Sequence, residues 1–192
     1  MTVGDHEGRQ IQTDLKDLVD KAASGDRAAY SEIVRQLMKP VVALAYRMTG
    51  DREAAFDLAQ DTFVSAWQNL DSFRGEAKFE SWLYRIASNK TLNYLQSRKR
   101  YQTGVDEEYS NAQAASDSPE TDLEREELRR DVLEFMKTLP EQQRIAFDLR
   151  FYRELPFEEI ATILNKAVGT VKTNYREAVQ KFREFAKQRG WD

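Results

Sequence analysis

The sequence contains no cysteine and only one histidine, His6, among its 192 residues. Without cysteine there is neither a disulfide scaffold nor a metal site built from thiolates. His6 lies in a polar N-terminal stretch, and the many carboxylates have no histidine or other metal-ligand cluster beside them in the sequence. This inventory argues against an enzyme, and we expect no metal and no other cofactor.

Glycine, proline and long apolar runs are also scarce. The chain has 8 glycines and 4 prolines, and its apolar residues, 41% of the total, recur mainly with helical spacing. This pattern predicts an all-α fold. No apolar run approaches the length needed to cross a membrane, and the N-terminus has no apolar signal core. We therefore expect a cytoplasmic protein without membrane insertion.

The formal net charge of −4 is distributed unevenly along the chain. Residues 101–128 contain nine acidic residues and one basic residue, whereas basic residues outnumber acidic ones in residues 13–100 and in residues 129–192. The acidic segment begins without apolar periodicity and contains a Ser-Pro step, which is typical of a flexible linker. We therefore predict a disordered tail (1–12) and two small helical domains (13–100 and 129–192) joined by an acidic flexible linker (101–128).

The second predicted domain contains a helix-turn-helix pattern from Phe157 to Phe185. Asn165, in the turn, suits a left-handed backbone. The second helix of the pattern has an apolar face that must be buried, formed by Val171, Tyr175, Ala178, Val179 and Phe182. The opposite, partly basic face carries Thr170, Lys172, Thr173, Arg176 and Gln180. We expect this outward face to contact the DNA major groove.

In the first predicted domain, a helix from about Arg27 to Met48 should kink at Pro40 and end at Gly50. Asp51 should cap the next helix. That helix is predicted to bury Ala55, Phe56, Ala59, Phe63, Ala66, Trp67 and Leu70. Its other face carries an acidic strip, which consists of Asp57, Gln60, Asp61, Val64 and Gln68. Such a strip is often only a solvated surface, but the apolar residue within it favours a protein partner over DNA.

Residues 72–100 reverse the charge, with seven basic and two acidic residues interleaved with aromatic side chains. Cations for phosphates and flat rings for unstacked bases are what single-stranded nucleic acid requires. A helix predicted from about Lys78 to Ser97 presents Lys78, Arg85, Asn89 and Gln96 on one face, bordered by Trp82 and Asn93. Trp82 fits a packing role as well as a nucleic-acid contact. The preceding loop, residues 73–76, is suited to hold an extruded base or a phosphate.

Two blocks of sequence, in this order, resemble the extracytoplasmic-function (ECF) sigma factors, the smallest members of the main bacterial sigma family. The first block is GDREAAFDLAQDTFVSAW followed by DSFRGEAKFESWLYRIASNKTLNYL. The second is LPEQQRIAFDLRFYRELPFEEIATIL followed by VGTVKTNYREAV. The resemblance covers roughly residues 13–100 and 129–189. It implies a protein that binds core RNA polymerase and directs promoter recognition, DNA melting and transcription initiation.

The resemblance also implies roles for individual residues. The acidic strip would dock on the clamp helices of the polymerase β′ subunit, and the LPEQQR segment with its following helix would touch the β flap. The outward face of the second helix would meet the minus-thirty-five promoter element. The first domain would contact the melted minus-ten element through Phe73, Arg74, Lys78, Phe79, Trp82, Arg85, Asn89, Lys90 and Asn93. An anti-sigma protein is expected as a further partner.

A stand-alone helix-turn-helix transcriptional regulator is the alternative that the residues leave open. It would use the segment from Phe157 to Phe185 but would leave Asp57, Asp61 and the basic aromatic helix without a role. Asn174 and Glu177 stand where many sigma factors have basic residues, so the sequence does not determine which bases are read.

Overall fold

The computed structural model describes residues 15–102 and 123–191, which form eight α-helices and their connections. In chain order the helices are α1 (residues 15–23), α2 (Arg27–Thr49), α3 (Arg52–Gln68), α4 (Phe79–Gln102), α5 (Leu123–Thr138), α6 (Glu141–Phe151), α7 (Phe157–Leu164) and α8 (Val168–Gln188). A short 3₁₀ turn, Leu70–Ser72, follows α3. These ranges contain no strand, so the prediction of an all-α fold is confirmed. The predicted tail and most of the predicted linker lie outside the described residues.

The helix ends in the first domain follow from residues that the sequence identifies. Asp26 caps α2 and Asp51 caps α3, because each carboxylate accepts hydrogen bonds from backbone N–H groups in the first helical turn. α2 continues as one helix across Pro40 and ends at Gly50, which adopts a left-handed backbone with φ of 70°. The predicted helix end and the predicted cap are therefore confirmed.

Helices α1 to α4 form the first domain, in which α2 packs against α3 and α4. The predicted core face of α3 is largely buried, but Phe56 is 44% exposed, so its predicted burial is wrong. Leu58 and Thr62 are buried on the opposite edge of that face. Because each helical residue turns by about 100°, their burial shifts the centre of the buried stripe away from Phe56.

Helices α5 to α8 form the second domain, whose core is aromatic. Phe135 is buried against the rings of Phe147, Phe182 and Phe185, with ring centroids 5.1 to 5.6 Å apart. The buried residues of this cluster are Phe135, Met136, Leu139, Phe147 and Ala178. The two helices of the predicted helix-turn-helix, α7 and α8, pack against each other and against α6. This arrangement confirms the helix-turn-helix prediction.

The two domains are in direct contact. α7 packs against α4, and α6 packs against α2. A single buried apolar cluster includes residues of both domains, among them Leu44, Met48 and Leu83 from the first and Leu149 and Ile160 from the second. The two domains therefore share one apolar core. None of the described helices combines the length and apolar content that crossing a membrane requires.

Asn165 provides a test of the turn between α7 and α8. It ends α7 in the left-handed conformation predicted for it (φ 50°, ψ 52°), and its side chain is exposed. A Cβ in this conformation is strained by roughly 1–2 kcal/mol, and asparagine relieves part of that cost. We expect Asn165→Ala to lower the free energy of unfolding by about 1 kcal/mol, whereas Asn165→Gly should leave it unchanged or raise it. Urea unfolding followed by circular dichroism measures both, and equal losses in the two variants would contradict this account.

Candidate nucleic-acid and protein interfaces

The outward face of α8 is exposed as predicted. Val171 and Ala178 on the opposite face are buried, so the helix has a fixed rotation about its axis. Tyr175, Val179 and Phe182 pack against the apolar cluster of the second domain and hold the same rotation. The five side chains predicted to face outward, Thr170, Lys172, Thr173, Arg176 and Gln180, are all exposed. They form a continuous polar and basic surface.

A hydrogen-bonded chain between α6 and α8 was not predicted from the sequence. The side-chain amide of Gln143 donates to Glu177 (2.6 Å), and its oxygen accepts from the ammonium of Lys181 (2.9 Å). Glu177 is therefore held against α6 rather than left free beside the outward face. The spacing of Glu177 and Lys181 by one helical turn is the only sequence signal for these linked hydrogen bonds.

Lys172, at the start of the outward face, lies between a carboxylate and an aromatic ring of α7. Its ammonium is 3.6 Å from the carboxylate of Glu158 and 5.7 Å from the ring centroid of Phe157. The guanidinium of Arg150 lies over the same ring (5.2 Å). Because Lys172 and Glu158 are both more than half exposed, water screens this pair and it contributes little to stability.

Helix α4 presents its predicted nucleic-acid face to solvent. Lys78, at its start, and Arg85, Asn89 and Asn93 along it are exposed, and Lys90 is partly buried. Arg74 is exposed in the loop before the helix. Gly75 in the same loop has a left-handed backbone (φ 70°), which bends the chain back toward α4. The loop and the helix therefore border a common basic surface.

An aromatic cluster supports this surface. Phe73, Phe79 and Trp82 contact one another, with all three ring centroid distances between 5.4 and 5.5 Å. Phe79 is buried, whereas the other two rings are partly exposed. Trp82 thus packs and remains accessible at the same time, so it is compatible with both roles that the sequence left open. Phe79 is buried in this conformation and packs against the other two rings.

The acidic strip of α3 is exposed over its whole length. Asp57, Gln60, Asp61 and Gln68 are exposed, and Val64 among them is 55% exposed. A cleft of about 320 Å³ opens beside the strip and is lined by Asp51, Glu53, Ala54, Asp57, Leu58, Asp61 and Tyr94. The sequence did not identify this cleft, because Tyr94 reaches it from α4. Exposed apolar side chains beside several carboxylates suit a partner that is both apolar and basic.

A further face of α4 is occupied by the second domain. Ser81 donates a hydrogen bond to the carboxylate of Glu159 on α7, and Tyr84, one turn further, is buried beneath the guanidinium of Arg153. Ser81 is buried, and its small side chain allows α7 to approach closely. This face of α4 was not predicted from the sequence.

The contact between the domains contains a buried ion cluster. Arg47 of α2 donates a hydrogen bond to Asp148 of α6, which is fully buried. Burial raises the pKa of the Asp148 carboxyl above its ordinary value, and the positive charges of Arg47 and Arg153 offset only part of this rise. Within the described ranges, no group of three or more histidine, cysteine, aspartate or glutamate residues is arranged to hold a metal ion.

The sequence matches two family descriptions in the order that the domains follow. It matches Sigma-70 region 2 over residues 33–101 and Sigma-70 region 4 over residues 129–182. It is 35% identical over 175 residues to the RNA polymerase sigma-H factor of Pseudomonas aeruginosa, covering 85% of this chain and 91% of that protein. It is 36% identical over 173 residues to the ECF RNA polymerase sigma-E factor of Escherichia coli, covering 84% and 90%, respectively.

Two solved structures are similar to this one over most of the chain. One is CnrH in complex with the cytosolic domain of CnrY, with a TM-score of 0.67, 26% identity, and coverage of 91% of this chain and 98% of that chain. The other is the sigma factor RpoE in complex with the anti-sigma factor NepR from Bartonella quintana, with a TM-score of 0.68, 25% identity, and coverage of 82% and 96%.

Proposed function

The chain belongs to the sigma-70 family, in its ECF group, and we propose that it binds core RNA polymerase and directs it to promoters. The observation that carries this proposal is the presence of both sigma regions in one chain, each with an exposed surface suited to a different partner. The acidic strip of α3 suits a protein. The basic faces of α4 and α8 suit nucleic acid.

Docking on polymerase is assigned to the acidic strip. Its side chains, Asp57, Gln60, Asp61, Val64 and Gln68, are all exposed, and Phe56 and the neighbouring cleft enlarge the surface. A mixed surface of this kind combines charge complementarity at its rim with apolar contact at its centre. The clamp helices of the β′ subunit are the proposed partner here. The segment that begins α6, residues 139–144, is proposed to touch the β flap.

The two DNA surfaces divide the promoter between them. α4 and the loop before it contact the melted minus-ten strand through Arg74, Lys78, Arg85, Asn89, Lys90 and Asn93, with Phe73 and Trp82 as the accessible rings and Phe79 as their support. α8 reads the minus-thirty-five duplex in the major groove through Thr170, Lys172, Thr173, Arg176 and Gln180. Melting then proceeds by capture of opened bases, without a catalytic group in the chain.

The regulatory partner is an anti-sigma protein. One similar structure, RpoE, was solved with the anti-sigma factor NepR, and the other, CnrH, with the cytosolic domain of CnrY. We infer a comparable partner for this chain and a cytoplasmic location, where RNA polymerase and the chromosome are found.

Reconstituted run-off transcription tests the proposed function. Core polymerase supplied with this chain should initiate on a subset of templates in a promoter library, and core polymerase alone should not. The stand-alone regulator is distinguished in the same experiment by measuring DNA binding without polymerase. A sigma factor should bind promoter DNA tightly only as holoenzyme, whereas tight specific binding by the free chain together with no initiation on any template would favour the regulator.

Substitutions in α8 test the minus-thirty-five surface. Arg176→Ala and Lys172→Ala should each weaken promoter binding by holoenzyme by about 1–3 kcal/mol if the side chain reads a base, because a base contact is lost. Arg183→Ala is the matched control, since Arg183 is an exposed basic residue later on the same helix. Promoter affinity measured by fluorescence anisotropy is the readout. An equal loss in all three variants would show that only general positive charge matters.

Charge reversal in α3 tests the polymerase surface. Asp57→Lys combined with Asp61→Lys should weaken binding to core polymerase at least tenfold, because the variant presents like charge to a basic partner. The fold should be retained, since both side chains are exposed. Asp17→Lys combined with Asp20→Lys, on exposed positions of α1, is the control. Normal association of the α3 variant in a binding titration would remove these residues from the interface.

A further inference from the structure

One acidic side chain lies within the outward face of α8. At about 100° per residue, Glu177 projects about 20° from Thr170 and about 40° from Thr173 around the helix axis. All three side chains are exposed. The surface that we propose reads the minus-thirty-five duplex therefore includes a carboxylate beside its hydroxyl and basic groups.

Glu177 is held in place by a neighbouring helix. The buried side chain of Gln143, on α6, donates a hydrogen bond from its amide nitrogen to Glu177 Oε2 over 2.6 Å. Helix α6 is itself anchored in the aromatic core, because Phe147 packs against Phe135 and Phe182. Within the described residues, Glu177 Oε1 accepts no hydrogen bond. The carboxylate thus has one oxygen fixed by the protein and a second that is left to accept from a ligand.

The same glutamine brings a positive charge to this carboxylate. Gln143 Oε1 accepts a hydrogen bond from the Lys181 ammonium over 2.9 Å, so the acid and the base bind opposite ends of one amide group. A lone carboxylate on a DNA-binding face repels the phosphates. The nearby ammonium offsets that repulsion, and the second oxygen of Glu177 keeps its capacity to accept a hydrogen bond.

Base chemistry decides what such an oxygen can read in the major groove. Guanine and thymine present acceptors there, which repel a carboxylate, whereas cytosine and adenine present amino groups that donate to it. Adenine also presents the N7 acceptor beside its amino group, so it suits a carboxylate less well, and cytosine presents the N4 amino group alone. A fixed carboxylate on α8 therefore favours a base pair whose cytosine faces it.

We propose that Glu177 is a specificity-determining residue that accepts a hydrogen bond from the N4 amino group of one cytosine in the minus-thirty-five element. Gln143 is its positioning residue, because it fixes the carboxylate from a buried position on α6. This inference rests on the proposed function, since it requires α8 to lie in the major groove. The basic residues of the outward face then supply affinity, and Glu177 supplies discrimination between bases.

Selection from a randomised promoter library measures this base preference. Holoenzyme, made from core polymerase and the full chain, is bound to promoter duplexes whose minus-thirty-five element carries all base combinations, and the bound fraction is sequenced. We expect one position at which the wild-type holoenzyme prefers cytosine over guanine and thymine by about tenfold, and over adenine by less. Because the preference is a ratio within one library, it does not depend on the affinity of a variant for core polymerase.

Two substitutions of Glu177 should give distinct results. Glu177→Ala removes the acceptor, so the preference for cytosine should be lost at that position. Glu177→Gln adds a donor, and glutamine pairs with the N6 and N7 atoms of adenine, so the preference should move from cytosine to adenine. Preferences at the remaining positions should not change. Both variants should fold normally, since the side chain is exposed.

Gln143→Met tests the positioning role. Methionine is similar in size to the buried glutamine but cannot donate to Glu177, so the cytosine preference should fall about threefold while the preferred base stays the same. Glu184→Gln is the matched control, because Glu184 is another exposed carboxylate two helical turns further along α8. It removes the same charge and should leave the cytosine preference unchanged.

The outcomes separate this inference from the proposed function. If wild type and Glu177→Ala select the same base at every position, or if Glu184→Gln relaxes the same position equally, Glu177 reads no base and the inference is overturned. A wild-type preference for guanine or thymine at the position that Glu177 affects would also overturn it. An unchanged preference in Gln143→Met would remove the positioning role. If the wild-type holoenzyme selects no sequence at all, the proposed function fails, and this inference fails with it.

Discussion

The contact between α2 and α6 constrains much of what this molecule exposes, because it joins a shared apolar cluster to a buried carboxylate, Asp148, which accepts a hydrogen bond from Arg47. Leu44 and Leu149 supply apolar packing between α2 and α6. The hydrogen bond from Arg47 to Asp148 fixes how the two helices are aligned. A buried ion pair adds little net stability, since desolvation offsets most of the attraction, but it penalises misaligned packing strongly. The arrangement of the two domains therefore depends on matched charge as well as on apolar area.

The contact between the domains also determines which helix faces remain exposed to possible partners. α4 uses one face for the core of its own domain, one for α7 and one for solvent. The residues proposed to contact nucleic acid, such as Arg85 and Asn89, lie on the solvent face. α8 buries Val171 and leaves Lys172 and Arg176 outside. The proposed binding surfaces are thus the helix faces that packing leaves exposed.

Charge separates these surfaces by partner. By its charge, the acidic strip of α3 suits a basic protein surface, whereas the basic faces of α4 and α8 suit phosphate. Acidic and basic residues are concentrated in separate parts of the chain. The low net charge therefore conceals surfaces that are strongly charged. A sigma factor needs this division, since it must hold polymerase and promoter at the same time without letting either occupy the other's site.

The sequence by itself determined the elements and their outward faces. Periodicity located the helices, Asp51, Gly50 and Asn165 marked helix ends, and the exposed positions of α3 and α8 followed from the same 3.6-residue repeat. Periodicity failed at Phe56, where two residues on the far edge shifted the buried stripe, and on α4, where a polar third face is buried by a distant helix. Only the tertiary structure decided that the domains touch, that Tyr94 reaches the acidic cleft and that Asp148 lies between two arginines. The periodicity of the sequence shows which residues share a helix face. What packs against that face depends on segments that are distant in the sequence.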